Sequence, residues 1–178
     1  MVFRLLFLFF VVAIISECKY KERIMLDKTL VILKPSAVQR GLIGEIIRRF
    51  ERKGLILAGL KMIRLSDEIL SEHYAHLKDK PFFQQVKDSM RVCPVIVCCW
   101  RGKDAVQVVR LLTGVTNSRE ALPGTIRGDF SMSMRENILH ASDSPETAAV
   151  ELQRFFNDNE LFDYDMNMIS SLYAENEI

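Results

Sequence analysis

What most restricts the fold of this chain is the alternation of short apolar or β-branched runs with segments of helical period. Thr29–Leu33 is a β-branched run ended by Lys34-Pro35. Leu55–Leu65 reads as a second strand and Val92–Trp100 as a third, fully buried one. Between the first two, Gly41–Gly54 carries Ile43, Ile46, Ile47 and Phe50 at helical spacing, with Gly54 as the stop. Ser66-Asp67-Glu68 offers an N-cap and an acidic first turn to a helix running through His73 and Tyr74. A short helix follows Pro81, and Asp104–Thr113 forms another.

From Gly114 to Gly128 no period is visible, so this stretch is a long loop, ordered or flexible. Asp129-Phe130-Ser131 is expected as a last short strand. Asp143-Ser144-Pro145-Glu146 then starts a helix, with proline in its first turn, that covers Ala148 to Phe156. Strands and helices in this order predict an α+β sandwich, helices packed on one small sheet with function on the loops. The pattern leaves strand direction open. A length of 178 residues fits one domain.

Charge narrows the function classes. With 24 Lys and Arg against 23 Asp and Glu the net charge is +1, which argues against binding nucleic acid through bulk positive charge. The cysteines, Cys18, Cys93, Cys98 and Cys99, show no C-x-x-C spacing. Cys98 and Cys99 point to opposite faces of a strand, so reduced thiols in a reducing compartment are expected.

Arg4 followed by the unbroken apolar run Leu5–Ile15 resembles a secretory signal too short to span a bilayer, with Ser16-Glu17-Cys18 a poor cleavage site. Residues 1–24 therefore read as a leader or a mis-called start outside the fold, and residues 25–178 as a single domain beginning at Met25. Without residues 1–24 the balance is 20 basic against 21 acidic residues, or −1. The expected location is cytoplasmic, with an exported or membrane-tethered form through residues 1–24 as the alternative.

No G-x-x-x-x-G-K-[ST] loop is present: Gly54 to Lys61 comes nearest, but Leu60 stands where lysine is required. Cations fall singly instead, at Lys34, Arg110 and Arg127, with Thr116 between the last two, and such groups can converge on a polyphosphate. His73 and His76 form an i, i+3 pair near Glu72 and Asp79. With no third ligand fixed by spacing, exposure is expected there rather than metal binding. His140 ends an apolar stretch just before a helix start. Taken alone, a histidine so placed is more often structural than catalytic.

Three segments change that balance. Lys34-Pro-Ser-Ala-Val-Gln-Arg-Gly41, Arg127-Gly-Asp-Phe130 and Asn137-Ile-Leu-His140-Ala-Ser-Asp-Ser144 strongly resemble nucleoside diphosphate kinases, and the resemblance runs from about Lys28 to Tyr173. It implies a ferredoxin-like sandwich with a four-stranded antiparallel sheet. It also implies transfer of the γ-phosphate of ATP to nucleoside diphosphates, by a ping-pong route through phospho-His140, with broad base and sugar specificity. Lys34, Tyr74, Phe82, Arg110, Thr116, Arg127 and Asn137 fall at the family's nucleotide-contacting positions, with Ser142 and Glu151 behind the histidine. Phe82 would stack on the base, and Asn137 and Lys34 would reach the sugar hydroxyls. Mg²⁺ is expected on the nucleotide phosphates with no protein ligand, and the chain is expected as a homo-oligomer, tetramer or hexamer, with no obligate nucleic acid and no membrane. One departure is Ser36-Ala37 where the family usually has Asp-Gly, which removes a carboxylate and alters backbone freedom. A module that binds nucleotides or nucleic acid without turnover is the competing reading.

Overall fold

The computed structural model describes residues 26–164, 166 and 169–177; the apolar leader segment and Cys18 lie outside the described residues. Residues Asp27–Tyr164 form one compact unit. The other unit, residues 1–26 with 165–178, has one short helix among its described residues, Ile169–Leu172.

Four strands, β1 (Asp27–Leu33), β2 (Ile56–Ile63), β3 (Val95–Gly102) and β4 (Leu139–Ala141), make one sheet in the order β2-β3-β1-β4, with every neighbour antiparallel. This is the ferredoxin-like arrangement that the resemblance implies. Side-chain alternation divides the strands between two cores. Val31, Leu33, Cys98 and Trp100 face one core with Ile46, Phe50 and Val109. Leu30, Ile32, Val97 and Cys99 face the other with Leu70, Met90, Leu152 and Phe155. Cys98 and Cys99 thus take opposite faces as expected, and Cys93, Cys98 and Cys99 are free thiols.

The first core is covered by α2 (Ile43–Lys53), which follows a short α1 (Pro35–Gln39), and by α5 (Ala105–Thr113). Gly54 ends α2 in the left-handed conformation at φ 101°, the geometry glycine adopts without a Cβ penalty. Over the second core lie α3 (Asp67–His73), α4 (Phe83–Arg91) and α7 (Pro145–Phe155). Ser66 caps α3 and Ser144 caps α7 through their side chains, as expected.

Two expectations fail. Asp129-Phe130-Ser131 is not a strand: Thr125 caps a short helix α6 (Ile126–Phe130), Asp129 accepts from Gly124 and Arg49, and a Cβ on Gly128 would lie 2.1 Å from the Leu122 carbonyl. Local hydrogen bonds accepted by hydroxyl and carboxylate side chains outweigh the weak strand pattern there. The last strand is Leu139–Ala141 instead. The second failure concerns His73, which is buried at 6% exposure, because α3 turns it onto the second core, while His76 lies exposed on the turn that follows the helix. Among the described residues no helix is long and apolar enough to cross a membrane.

Candidate active site

Strand alternation decides where His140 points. Leu139 and Ala141 face the first core, so His140, paired with Ile32 across the ladder, is turned to the opposite face. There α7 presents Ala148, Glu151, Leu152 and Phe155 on one helical face, which buries the Glu151 carboxylate beside the imidazole. A cavity of about 850 Å³ opens at this point, lined by residues that include Lys34, Arg110, Arg127 and His140.

The imidazole is held from behind. His140 Nε2 lies 2.9 Å from Glu151 Oε1, and the Ser142 hydroxyl donates to Glu151 Oε2 at 2.6 Å. Burial pushes the Glu151 carboxyl up, but the hydrogen bonds from His140 and Ser142 outweigh it, so the group stays ionised below the usual carboxylate range. An ionised carboxylate only accepts, so His140 Nε2 carries the proton and Nδ1 keeps a lone pair. The ring lines the cavity and is about a quarter exposed.

His73 is the participant that motif reading missed. Its ring meets His140 edge-on with centroids 4.5 Å apart, and its Nδ1 lies 3.6 Å from the Glu151 oxygen that His140 uses. Burial, then the neighbouring His140, lowers its pKa to about 3, so His73 is neutral. Arg154 donates to its Nδ1 over 3.4 Å and to Glu72 at 2.8 Å. The only signal in the sequence was that His73 closes a short amphipathic helix. One ligand atom each from His73, His140 and Glu151 falls within 4.8 Å of the others, a spacing compatible with a metal, but His140 Nε2 already donates to Glu151 and Arg154 to His73 Nδ1.

The cations converge from separate elements. Lys34 follows β1, Arg110 stands exposed near the end of α5, and Arg127 is buried in α6. Withdrawal of the Lys34 ammonium from water, then the Arg127 charge, lowers its pKa to about 8; burial and Arg110 lower that of Arg127 to about 10. Lys34 Nζ donates to Asn137 Oδ1 at 2.6 Å, while the Asn137 amide donates to the carbonyls of Thr116 and Met134. Asn137 is thereby held in place at the cavity wall beside Lys34.

Of the ten residues singled out from the sequence, Lys34, Tyr74, Arg110, Thr116, Arg127, Asn137, His140 and Glu151 line the cavity. Ser142 sits behind Glu151. Phe82 does not line it: the ring stands exposed on the turn before α4. Tyr74 is buried with a hydroxyl that has no hydrogen-bond partner among the described residues, and burial pushes its pKa up.

A family model described as nucleoside diphosphate kinase matches residues 27–161. A nucleoside diphosphate kinase of Parabacteroides distasonis is 70% identical over 152 residues, covering 85% of this chain and 99% of its own. Nucleoside diphosphate kinase A of Rattus norvegicus is 47% identical over 138 residues, covering 78% and 91%. Among solved structures, a halophilic nucleoside diphosphate kinase from Halobacterium salinarum in complex with CDP superposes with a TM-score of 0.81 at 42% identity, covering 83% of this chain and 98% of that one.

Proposed function

This chain belongs to the nucleoside diphosphate kinase family, a family of phosphotransferase enzymes acting on nucleotides, and from that premise we propose that it moves the γ-phosphate of ATP to nucleoside diphosphates in two steps through phospho-His140. The observation that carries this reading is the bond between His140 Nε2 and an ionised Glu151, which leaves Nδ1 as the nucleophile on the cavity side. In the first step Nδ1 attacks the γ-phosphorus, the bond to the bridging oxygen breaks, and ADP leaves with the electron pair. Glu151 stabilises the positive charge that develops on the ring. In the second step an acceptor diphosphate takes the phosphoryl group from Nδ1 and restores the free imidazole.

The transferring group spreads negative charge over its oxygens, so placed cations do most of the work. Lys34, Arg110 and Arg127 are the residues for this role, with Thr116 on the rim as a neutral donor. The carboxylates bear on where Mg²⁺ would sit. Both Glu151 oxygens are engaged, Glu72 is paired with Arg154, and Asp143 and Glu146 are exposed. This donor set fits a metal carried on the nucleotide phosphates and water, where it would neutralise charge.

Phe82 supplies an exposed ring close in sequence to Tyr74 and His76 of the cavity wall, suited to stacking on any base, which supports broad specificity. The free thiols among the described residues favour a reducing compartment, and we place the working enzyme in the cytoplasm as a homo-oligomer. Residues 25–178 act as one domain on this reading, with residues 1–24 outside the catalytic unit.

Initial rates with ATP and several diphosphates test the scheme. Parallel double-reciprocal lines are expected, together with ATP–ADP exchange in the absence of any second nucleotide. Nucleotide binding without that exchange would support the binding-module reading instead.

A further inference from the structure

The residue two before His140 is held in a conformation that β-branched residues avoid. Ile138 has φ +74°, and the Leu139 N–H donates to the Asn137 carbonyl at 2.8 Å, so Asn137–Leu139 closes a γ-turn of the strained hand. Such a backbone persists only where surrounding contacts determine it several times over. Here they do. The Lys34 N–H donates to the Ile138 carbonyl at 2.9 Å. Arg127 donates from Nε to the Asn137 carbonyl at 3.2 Å and from Nη2 to the Leu139 carbonyl at 2.9 Å, gripping both sides of the turn, and from Nη1 to Gly114 at the end of α5 at 2.9 Å. The Ile138 side chain is fully buried in the first core.

We propose that Ile138 is a positioning residue for the transfer step: its left-handed turn, anchored in the core and clamped by Arg127 and the Lys34 backbone, fixes where the His140 ring stands. The inference rests on the phosphohistidine reading and adds to it. β4 is only three residues long, so the ladder alone gives His140 few backbone constraints, and the turn supplies the rest. Arg127 then has two tasks, as a charge facing the cavity and as a clamp on the chain that carries the nucleophile. A lysine in its place would keep the first and lose the second, because one ammonium cannot reproduce the guanidinium fork.

The test compares Ile138→Val, Ile138→Ala and Ile138→Gly with the wild type, by kcat and KM on the folded fraction and by ¹⁵N signals of the His140 imidazole without nucleotide. Valine keeps the branched anchor and is expected to keep kcat within about twofold. Alanine loses the anchor, and glycine loses it too while adding backbone freedom at the turn; each is expected to lower kcat on the order of tenfold or more with KM nearly unchanged and the imidazole signals shifted. Alanine and glycine variants with reduced thermal stability but wild-type kcat and unmoved imidazole signals would overturn the proposal, leaving Ile138 a core residue only. If those variants fail to fold, Arg127→Lys decides by the same signals in nucleotide-free enzyme: a shift is expected, and unchanged signals would overturn the clamp. A wild type that took up no phosphate from ATP would sink the phosphohistidine reading itself, before any variant was compared.

Discussion

On one side of the cavity, β4 and α7 bring His140, Ser142 and Glu151 into a chain of short hydrogen bonds, buried and closed behind the imidazole. On the other side, the segment from Ala75 to Phe82 offers mostly exposed side chains, with the Phe82 ring outside the lining altogether. The difference is one of directionality. Hydrogen bonds to charged groups fix atoms to tenths of an ångström, whereas a flat exposed ring accepts any partner with a π face. On the proposed reading, the chemistry common to all nucleotides is held rigidly, and the base that differs between them would meet the looser wall.

The comparison can be broken most sharply on the rigid side. Glu151→Gln keeps the shape of the side chain but lets it donate as well as accept, which releases the His140 tautomer and removes the charge that stabilises the ring. Transfer should slow roughly a hundredfold or more, with nucleotide affinity little changed. Equal kcat in the variant would show that the closed hydrogen-bond chain is structural only.

A pH profile sharpens the same side less drastically. The Lys34 ammonium titrates near pH 8 in the free protein, lowered by burial and by Arg127. A group with a lowered pKa loses its charge as pH rises through that value, so kcat/KM should fall on the alkaline side from about pH 8. Bound phosphate favours the charged form, so the limb in kcat should lie higher. An alkaline limb that survives in Lys34→Gln would assign it to another group.

The smallest effect belongs to the loose side. Phe82→Ala should raise KM by about two- to tenfold, similarly for purine and pyrimidine diphosphates, with kcat nearly intact. A large loss confined to one base would mean that this wall discriminates after all.

Local chemistry was the legible part of this fold. Ser66 and Ser144 cap their helices, Gly54 stops α2 in a left-handed conformation, and the apolar run of β3 is buried on both faces. The motif around His140 pointed to the residue that we propose as the phosphate acceptor, and the fold places it on the cavity wall. What sequence could not supply depends on tertiary contact. His73 reads as an exposed surface histidine until α3 packs on the sheet. Asp129-Phe130-Ser131 reads as a strand until the Thr125 cap and the Gly124 N–H draw Asp129 and Phe130 into a helix. That Asn137 is held by Lys34 and by the carbonyls of Thr116 and Met134 likewise emerges only in the folded chain.

The most direct test of the account is the fate of phosphate on the protein after incubation with ATP and removal of nucleotide. Wild-type chain should carry a stoichiometric, acid-labile and alkali-stable phosphate on His140 Nδ1, discharged by added diphosphate, and His140→Ala should carry none. Equal labelling of His140→Ala, or full turnover of the wild type with no phosphorylated protein at any time, would contradict it.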